Sequence, residues 1–371
     1  MPGIDRRLIT HINWGLLATM LVLFLVGILN LYSASGIRGE DGIVHAPYYE
    51  KQIIWGGMGC VAMLACMCFD YRRLQVLALP FFLFTLFALG LVPFFGKVIY
   101  GARRWIDLGF FHFQPSEMAK IAVLLMGAQV LSLSGEVLHW KRLFQVACVG
   151  LIPAGLVIAQ PDLGTGLTIL AILGGMIFYH GLHKHVLYVV LTAIPLLPPF
   201  AWFVMLHDYQ KQRILTFLDP SSDPRGAGYH IIQSQIAIGS GQMWGKGYLQ
   251  GTQSQLSFLP EKHTDFAIAV FAEEWGFVGC VVLISIFCLF LIGIYNTARD
   301  AKDRFGSTLV AGIFIYFFWQ ICVNIGMVVG IMPVVGIPLP FISYGGSATM
   351  VNFALIGLVL NVSMRRFLFK S

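Results

Sequence analysis

Charged residues are scarce in this sequence: Asp, Glu, Lys and Arg make up 11% of its 371 residues, whereas soluble domains carry about 25%. Hydrophobic residues, in contrast, make up 57% of the chain. A water-soluble fold of this length could not bury so much apolar surface, so the remaining hydrophobic side chains must face lipid. The composition therefore predicts an integral membrane protein.

Cysteine is also infrequent, and its positions argue against disulfide bonds. All seven cysteines fall inside apolar stretches, and none lies in a predicted outer loop. They are Cys60, Cys66, Cys68, Cys148, Cys280, Cys288 and Cys322. We therefore expect no disulfide framework and read these thiols as core or lipid-facing side chains.

Two further patterns are missing. There is no basic stripe interleaved with aromatic residues, so the net charge of +6 fits anionic lipids and predicts no nucleic-acid partner. No cleavable signal peptide is evident, because the first apolar run lacks a clear cleavage site before polar sequence. We expect that run to remain as the first transmembrane helix.

Ten apolar runs approach the length of about 20 residues that a helix needs to cross a bilayer. They cover roughly residues 13–33, 53–69, 75–95, 115–133, 143–159, 165–182, 186–206, 266–295, 306–330 and 347–363. Lys and Arg concentrate in the short loops of one side, which predicts that both termini are cytoplasmic. The predicted fold is an all-α polytopic membrane protein with about ten transmembrane helices, N-in and C-in.

The longest outer loop joins helices 7 and 8 over about 207–265. A loop of this length is usually functional, and its apolar pieces predict short amphipathic helices on the outer surface. Lys211 and Arg213 within it are suitable partners for a diphosphate, although a solvated charged face is the alternative. A glycine-rich piece around Lys246 lacks the P-loop pattern and does not predict nucleotide binding.

Ionisable residues within apolar runs are costly in lipid, by about 2.5–3.5 kcal/mol each, and are therefore functional candidates. Glu117 and Lys120 are spaced to share a helix face, either as a structural salt bridge or as the lining of a substrate cavity. Asp162 follows Gln160-Pro161 at a short outer turn. It could cap the next helix, or it could belong to the same cavity and pair with Lys120.

Asp265 lies at the end of the long loop, at the predicted membrane surface and at a helix N-terminus. It could be a helix cap, a general base or a cation ligand. Glu261, His263 and Asp265 alternate along the chain and could share a metal, but their spacing is not diagnostic.

The segment 331–347 contains three prolines and several glycines and cannot form a regular span. Such backbone is tolerated at membrane depth only beside protein or water. We predict a loop or re-entrant segment, with Ser343 near its end, that lines the outer cavity; a plain surface turn is the alternative.

These motifs together resemble the SEDS family (shape, elongation, division and sporulation). The resemblance is carried by Gln114–Glu117, Gln160–Gly164, Gly251–Glu274 and Pro338–Ser347, and Leu259–Gly276 is highly specific. It covers nearly the whole chain, which implies one integral membrane domain over residues 1–371. Within the family, Tyr209–Arg213 and Ile232–Gly241 are most similar to the branch that determines rod shape, although Gln242 stands where a further glycine is usual.

The resemblance implies a peptidoglycan glycosyltransferase of the cell inner membrane that polymerises lipid II at the periplasmic face during cell elongation. The implied partners are a class B penicillin-binding transpeptidase and other membrane proteins of the elongation complex. Asp265 matches the family's essential aspartate, which would deprotonate the acceptor sugar directly or through a divalent cation (Mg²⁺ or Mn²⁺). The donor would be the undecaprenyl-diphosphate-linked glycan, its anomeric centre would be inverted, and no organic cofactor is implied.

Two other functions remain open from the sequence alone. A flippase or transporter for lipid-linked precursors would share the helices, the polar cavity and the lipid substrate. It would need ionisable residues toward the inner leaflet, whereas those of this chain cluster outside. A non-catalytic scaffold of the cell-wall machinery would tolerate substitution of Asp265.

Overall fold

The computed structural model describes residues 11–366, except for short gaps at 40–41, 46, 100–101, 108, 110–111, 135–136, 197–198, 200–201, 204–207, 224–225, 257 and 260. The described part is dominated by helices. They are α1 (Trp14–Ala34), α2 (Tyr48–Cys68), α3 (Tyr71–Phe95), α4 (Pro115–Ser132), α5 (Trp140–Ala159), α6 (Leu163–His180), α7 (Lys184–Ala193), α8 (Asp208–Leu218), α9 (Ala227–Ser240), α10 (Thr252–Gln255), α11 (Ala267–Asp300), α12 (Arg304–Val329) and α13 (Gly346–Arg365).

Short antiparallel strands are confined to two of the loops between helices. The loop after α1 forms a hairpin of β1 (Gly36–Gly39) and β2 (Gly42–His45). The loop after α3 forms a three-stranded meander of β3 (Lys97–Ile99), β4 (Ala102–Asp107) and β5 (His112–Phe113). Both lie in segments that the sequence predicts to be outer loops, so they add to the all-α architecture without changing its class.

Eight described helices are long and apolar enough to cross a membrane: α1, α2, α3, α5, α6, α11, α12 and α13. The other two predicted spans also contain helices. Helix α4 is 18 residues long but carries Glu117 and Lys120. The predicted span 186–206 lies partly outside the described residues, and its described part holds α7 and a short 3-10 helix, Ile194–Leu196. The prediction of a polytopic helical membrane fold is confirmed.

Helix α4 occupies the centre of the bundle. It contacts α3, α5, α6, α12 and α13, and most of its residues are buried. Pro115 fills its first turn, where the missing N–H costs no hydrogen bond. The polar face of α4 is therefore enclosed by protein rather than by lipid.

Helix α11 is interrupted at Gly276, which has φ +64°. The backbone N–H groups of Lys246 and Gly247 donate to the carbonyls of Glu273 and Glu274 at 3.0 Å each. On the other side of the break, Phe277 N–H donates to the carbonyl of Gln242 at 2.8 Å. The glycine-rich segment 241–247 thus supplies the hydrogen bonds that the helix loses, which is the condition for irregular backbone at membrane depth.

The connection between α12 and α13 is irregular and largely buried. Ile337, Leu339, Phe341 and Ser343 are all buried, and Gly27 of α1 packs directly against the Phe341 carbonyl. The alternative of a plain surface turn is therefore wrong, and the segment forms part of the protein interior.

Candidate functional site

Asp265 lies in the turn 261–266, which leads directly into α11. The N-cap of α11 is Phe266, whose side chain makes no capping hydrogen bond. The capping alternative for Asp265 therefore does not account for its carboxylate. The side chain faces the coil between α12 and α13: a β-carbon placed on Gly336 would lie 3.5 Å from Asp265 Oδ2.

The surroundings of Asp265 favour a basic carboxylate. Burial, with a further contribution from the charge of Glu261, raises the pKa of Asp265 to about 6, and the charge of Arg213 opposes this shift. Low-dielectric surroundings disfavour the charged form, so the carboxylate binds a proton more tightly than an exposed aspartate does. At neutral pH it is still mainly ionised and can accept a proton, which is the condition for a general base.

Arg213 brings α8 to this site. Its Nη1 donates to the Val334 carbonyl at 3.2 Å, in the same coil that faces Asp265. The guanidinium is half-buried and lies close enough to Asp265 to affect its pKa. Lys211 is also half-buried but lies two positions away on α8, so the two cations do not share a helix face.

Glu117 and Lys120 form a buried ion pair on α4, with 2.6 Å between Lys120 Nζ and Glu117 Oε1. The Lys120 ammonium also lies 5.3 Å from the ring centroid of Tyr316 on α12. The two side chains share one face, as their spacing predicts. The predicted salt bridge is present, and both of its side chains are buried inside the helix bundle.

Asp162 both caps α6 and belongs to a polar cluster. Its Oδ1 accepts from Thr165 N–H at 3.3 Å, and its Oδ2 accepts from the Gln114 side chain at 3.3 Å. Its ion partner is Arg104 of β4, at 3.9 Å. The direct ion partner of Lys120 is Glu117 on its own helix, so Asp162 and Lys120 form no direct salt bridge in the described part of the chain, although their charges interact.

The coil at Val335–Gly336 brings the Asp162 and Asp265 regions together. A β-carbon on Gly164, at the start of α6, would lie 2.6 Å from the Val335 carbonyl, while the next residue, Gly336, faces the Asp265 carboxylate. Ser116 Oγ of α4 donates to Asp162 Oδ2 at 3.5 Å, which brings the Glu117–Lys120 pair of the same helix next to Asp162. Five predicted residues thus belong to one polar region of the bundle. They are Glu117, Lys120, Asp162, Arg213 and Asp265.

Glu261 and His263 lie in the same turn as Asp265, with 3.9 Å between His263 Nε2 and Glu261 Oε2. The His263 ring stacks on Tyr48 of α2 at 4.2 Å between centroids. Burial lowers the pKa of His263, so the ring is neutral at physiological pH. Its main contact is aromatic, which fixes the turn against α2.

Ser343 is engaged with its own loop. Its buried Oγ accepts from the Leu339 backbone N–H at 2.9 Å. The hydroxyl thus stabilises the turn that leads into α13. Its predicted contact with substrate stays a prediction.

The side chains around Asp265 indicate how the predicted divalent cation could be bound. Within the described ranges no three His, Cys, Asp or Glu side chains are grouped closely enough to hold a metal, so Glu261, His263 and Asp265 are not arranged as a three-ligand site in this structure. Mg²⁺ is commonly held by one or two carboxylates together with water and substrate phosphate oxygens. Asp265 fits that mode as a single protein ligand.

The sequence did not single out three polar residues that the structure places at this site. Arg104 pairs with Asp162, and Tyr316 lies against Lys120. Asn324 of α12 donates to the carbonyls of Asp265 and Ile337. Asn324 lies within an apolar run, so the rule applied to charged residues could have identified it if extended to amides.

Comparisons with known proteins agree with the SEDS resemblance. The sequence model of the FtsW/RodA/SpoVE family, described as cell cycle protein, matches residues 13–367. The peptidoglycan glycosyltransferase MrdB of Escherichia coli K12 is 43% identical over 359 residues, covering 96% of this chain and 94% of that protein. The peptidoglycan glycosyltransferase RodA of Treponema pallidum is 33% identical, covering 97% of this chain and 99% of that one.

Solved structures give the same result. A chain from a peptidoglycan synthase complex that coordinates polymerization and crosslinking superposes with a TM-score of 0.82 at 32% identity, over 96% of this chain and 98% of that one. The rod shape determining protein RodA of Thermus thermophilus superposes with a TM-score of 0.71 at 30% identity, with the same coverage of both chains.

Proposed function

Because the chain belongs to the FtsW/RodA/SpoVE family of cell cycle proteins, we propose that Asp265 is the general base with which it polymerises lipid II. The chain is a peptidoglycan glycosyltransferase that acts in cell elongation: relatives of that name match it over nearly their whole length. The observation that supports the base is the half-buried carboxylate of Asp265, which lies just before the start of α11 and faces the coil at Gly336.

The proposed reaction is a displacement at the anomeric carbon of the undecaprenyl-diphosphate-linked donor glycan. The acceptor sugar 4-hydroxyl loses its proton to Asp265 as its oxygen forms the bond to the anomeric carbon. The bond between that carbon and the diphosphate oxygen breaks, and undecaprenyl diphosphate leaves. Attack from the opposite face inverts the α-diphosphate to a β-1,4 linkage.

Negative charge that develops on the leaving diphosphate must be stabilised for this reaction to be fast. Arg213 is suited to this role because its guanidinium lies near Asp265 and can bind two phosphate oxygens at once. A divalent cation, Mg²⁺ or Mn²⁺, held by Asp265 would supply further positive charge to the diphosphate. Neither role requires an organic cofactor.

The remaining predicted substrate contacts are part of the same proposal. Lys120, Glu117 and Asp162 would bind the polar glycan in the interior of the bundle, beside the coil at Gly336. Lys211, Glu261, His263 and Ser343 would contact substrate around the turn of Asp265. The similarity to a chain of a synthase complex supports a class B penicillin-binding protein as the transpeptidase partner.

The proposed location is the cell inner membrane, with Asp265 on the periplasmic side. This orientation is supported by the Lys and Arg bias of the loops. Lipid II presents its glycan on that face while its lipid tail stays in the bilayer, so a base near the membrane surface suits the substrate.

Polymerisation by purified protein tests the proposal. The chain, with its transpeptidase partner, should convert lipid II into glycan strands that are resolved by gel electrophoresis. Asp265→Ala should abolish the strands, whereas Asp300→Ala, an exposed carboxylate at the opposite end of α11, should not. Transbilayer movement of lipid II without strand formation would instead identify a flippase and overturn the assignment.

A further inference from the structure

Asn324 is a buried amide near the C-terminal end of α12, with 0% of its surface exposed. Its Nδ2 donates to the Asp265 carbonyl at 3.0 Å and to the Ile337 carbonyl at 2.8 Å. Burying an amide is unfavourable unless its polar atoms are paired. Both donors of Nδ2 are paired here, whereas the Oδ1 atom is buried without a hydrogen-bond partner among the described residues. Both hydrogens of one amide group are thereby directed to two segments far apart in sequence.

The two segments that Asn324 joins are the two sides of the candidate site. One is the turn 261–266 that carries Asp265. The other is the coil that contains Gly336 and Ile337, and Gly336 faces the Asp265 carboxylate. The separation between the carboxylate and this coil, where the sugar and diphosphate would lie, therefore depends on Asn324.

Asp265 lies in a turn, and a side chain on a turn needs an external hydrogen bond to hold its position more than a side chain on a helix does. Side chains on loops are positioned less precisely than those on helices or strands. Other contacts hold the neighbours of Asp265: Tyr344 N–H donates to the His263 carbonyl at 2.8 Å, and Lys262 Nζ donates to the Gly36 carbonyl at 3.1 Å. Asn324 acts on the peptide of Asp265 itself and links it to the rigid helix α12.

We propose that Asn324 is a positioning residue for the general base: it fixes Asp265 at hydrogen-bonding distance from the acceptor hydroxyl and sets its separation from the coil at Gly336. This inference rests on the proposed role of Asp265. A general base must lie within about 2.6–3.2 Å of the oxygen whose proton it removes. A displacement of about 1 Å can lower the rate by about 100-fold.

Asn361 of α13 provides a matched control. It is equally buried, and its Nδ2 also donates to two carbonyls, those of Cys66 at 2.5 Å and of Phe69. These contacts lie at the other end of α2, away from Asp265. Asn361→Leu removes a buried two-donor amide as Asn324→Leu does, together with the hydrogen bond that Asn361 Oδ1 accepts from Arg365, and it leaves the contacts of Asp265 in place.

The experiment measures kcat and KM for lipid II polymerisation by the complex with its transpeptidase partner. Asn324→Leu should lower kcat by about 100-fold with KM within about threefold of wild type. Asn324→Gln, which keeps both donors on a longer side chain, should recover at least tenfold of that loss. Asn361→Leu should lower thermal stability but leave kcat within about threefold of wild type for the folded fraction.

Three outcomes would overturn the inference: unchanged kcat in Asn324→Leu, an equal loss of kcat in Asn361→Leu, or a raised KM with normal kcat. If Asn324→Leu does not fold, Asn324→Ala gives the same comparison without the branched side chain. Asp265→Asn, assayed in parallel, separates the two claims. An active Asp265→Asn refutes the proposed base, whereas an inactive one beside an active Asn324→Leu refutes only the positioning role.

Discussion

Among single residues, Asp265 has a pKa that is shifted from the ordinary value of an aspartate by the residues around it. Burial and the Glu261 charge raise its pKa to about 6, against the opposing effect of Arg213. The base is active when deprotonated, so a raised pKa moves the loss of activity toward neutral pH. The rate should therefore fall as pH decreases through about 6, with Asp265 gaining a proton.

Glu261→Gln tests this account of the Asp265 pKa. Removing a negative charge next to Asp265 should lower its pKa, so the acidic limb of the rate profile should shift to lower pH. Initial rates of lipid II polymerisation between about pH 5 and 8 measure the limb. A limb that stays in place or moves to higher pH would contradict the electrostatic role of Glu261.

Two lysines allow a comparison of how much a buried and an exposed ion pair contribute to the free energy of unfolding. Lys120–Glu117 and Lys97–Asp107 have the same separation of 2.6 Å, but the first pair is buried and the second largely exposed. Lys120→Met should lower the free energy of unfolding by about 3–5 kcal/mol, because it leaves a buried charge unpaired. Lys97→Met should cost about 1 kcal/mol or less.

Thermal or chemical unfolding of the two variants in detergent provides the comparison. Equal losses would mean that Glu117 has access to water or to another cation in the folded protein. The wild-type chain and the Lys97→Met variant should both retain polymerase activity, since Lys97 lies on the meander after α3 and is not among the proposed substrate contacts.

Among the structural elements, the interrupted helix α11 and the segment 241–247 depend on each other. Gly245 has φ +80°, and a β-carbon there would lie 2.0 Å from the Glu274 carbonyl. The buried Glu273 carboxylate also binds Lys246, at 2.7 Å. The segment can therefore replace the lost helical hydrogen bonds only if a glycine occupies position 245.

Gly245→Ala should destabilise the protein by about 1–3 kcal/mol, through strain at positive φ and the close backbone contact. Gly239→Ala is the control, because this glycine lies within α9 and a β-carbon added there would have open space around it. That change should be neutral or slightly stabilising. Melting temperatures in detergent measure both, and an unaffected Gly245→Ala would show that the segment can repack.

Over the whole molecule, the orientation in the membrane follows from the predicted loop charges. With cytoplasmic termini, the turn of Asp265 faces the periplasm and Arg299 at the other end of α11 faces the cytoplasm. In a variant without native cysteines, Glu261→Cys should react with a membrane-impermeant maleimide in intact spheroplasts. Arg299→Cys should react only after permeabilisation; the reverse pattern would place the site in the cytoplasm.

Local sequence signals were sufficient for most of the fold. Each of the ten apolar runs contains a helix, because hydrophobic length alone identifies a span. The prolines and glycines of 331–347 likewise identified an irregular segment. The break at Gly276 was not predicted, because it depends on hydrogen bonds from the segment 241–247 that no local pattern encodes.

The candidate site was also predicted only in part, because local signals identify charged residues but not the distant partners they contact. Asp265, Glu117 and Lys120 stand out as charges near apolar sequence. The ion partner of Asp162 was not identified, because Arg104 lies 58 positions earlier in the chain, on a strand that the sequence did not indicate. Asn324 was missed because an amide in an apolar helix resembles an ordinary packing residue until its two acceptors are known.

The most direct test of the account replaces one atom at the base. Asp265→Asn keeps the shape of the side chain but cannot accept the proton, so single-turnover polymerisation of bound lipid II should slow by about 100-fold or more. Binding of lipid II and of the transpeptidase should be retained, and Asp300→Asn should react at the wild-type rate. Near-normal turnover in Asp265→Asn would contradict the assignment of Asp265 as the general base.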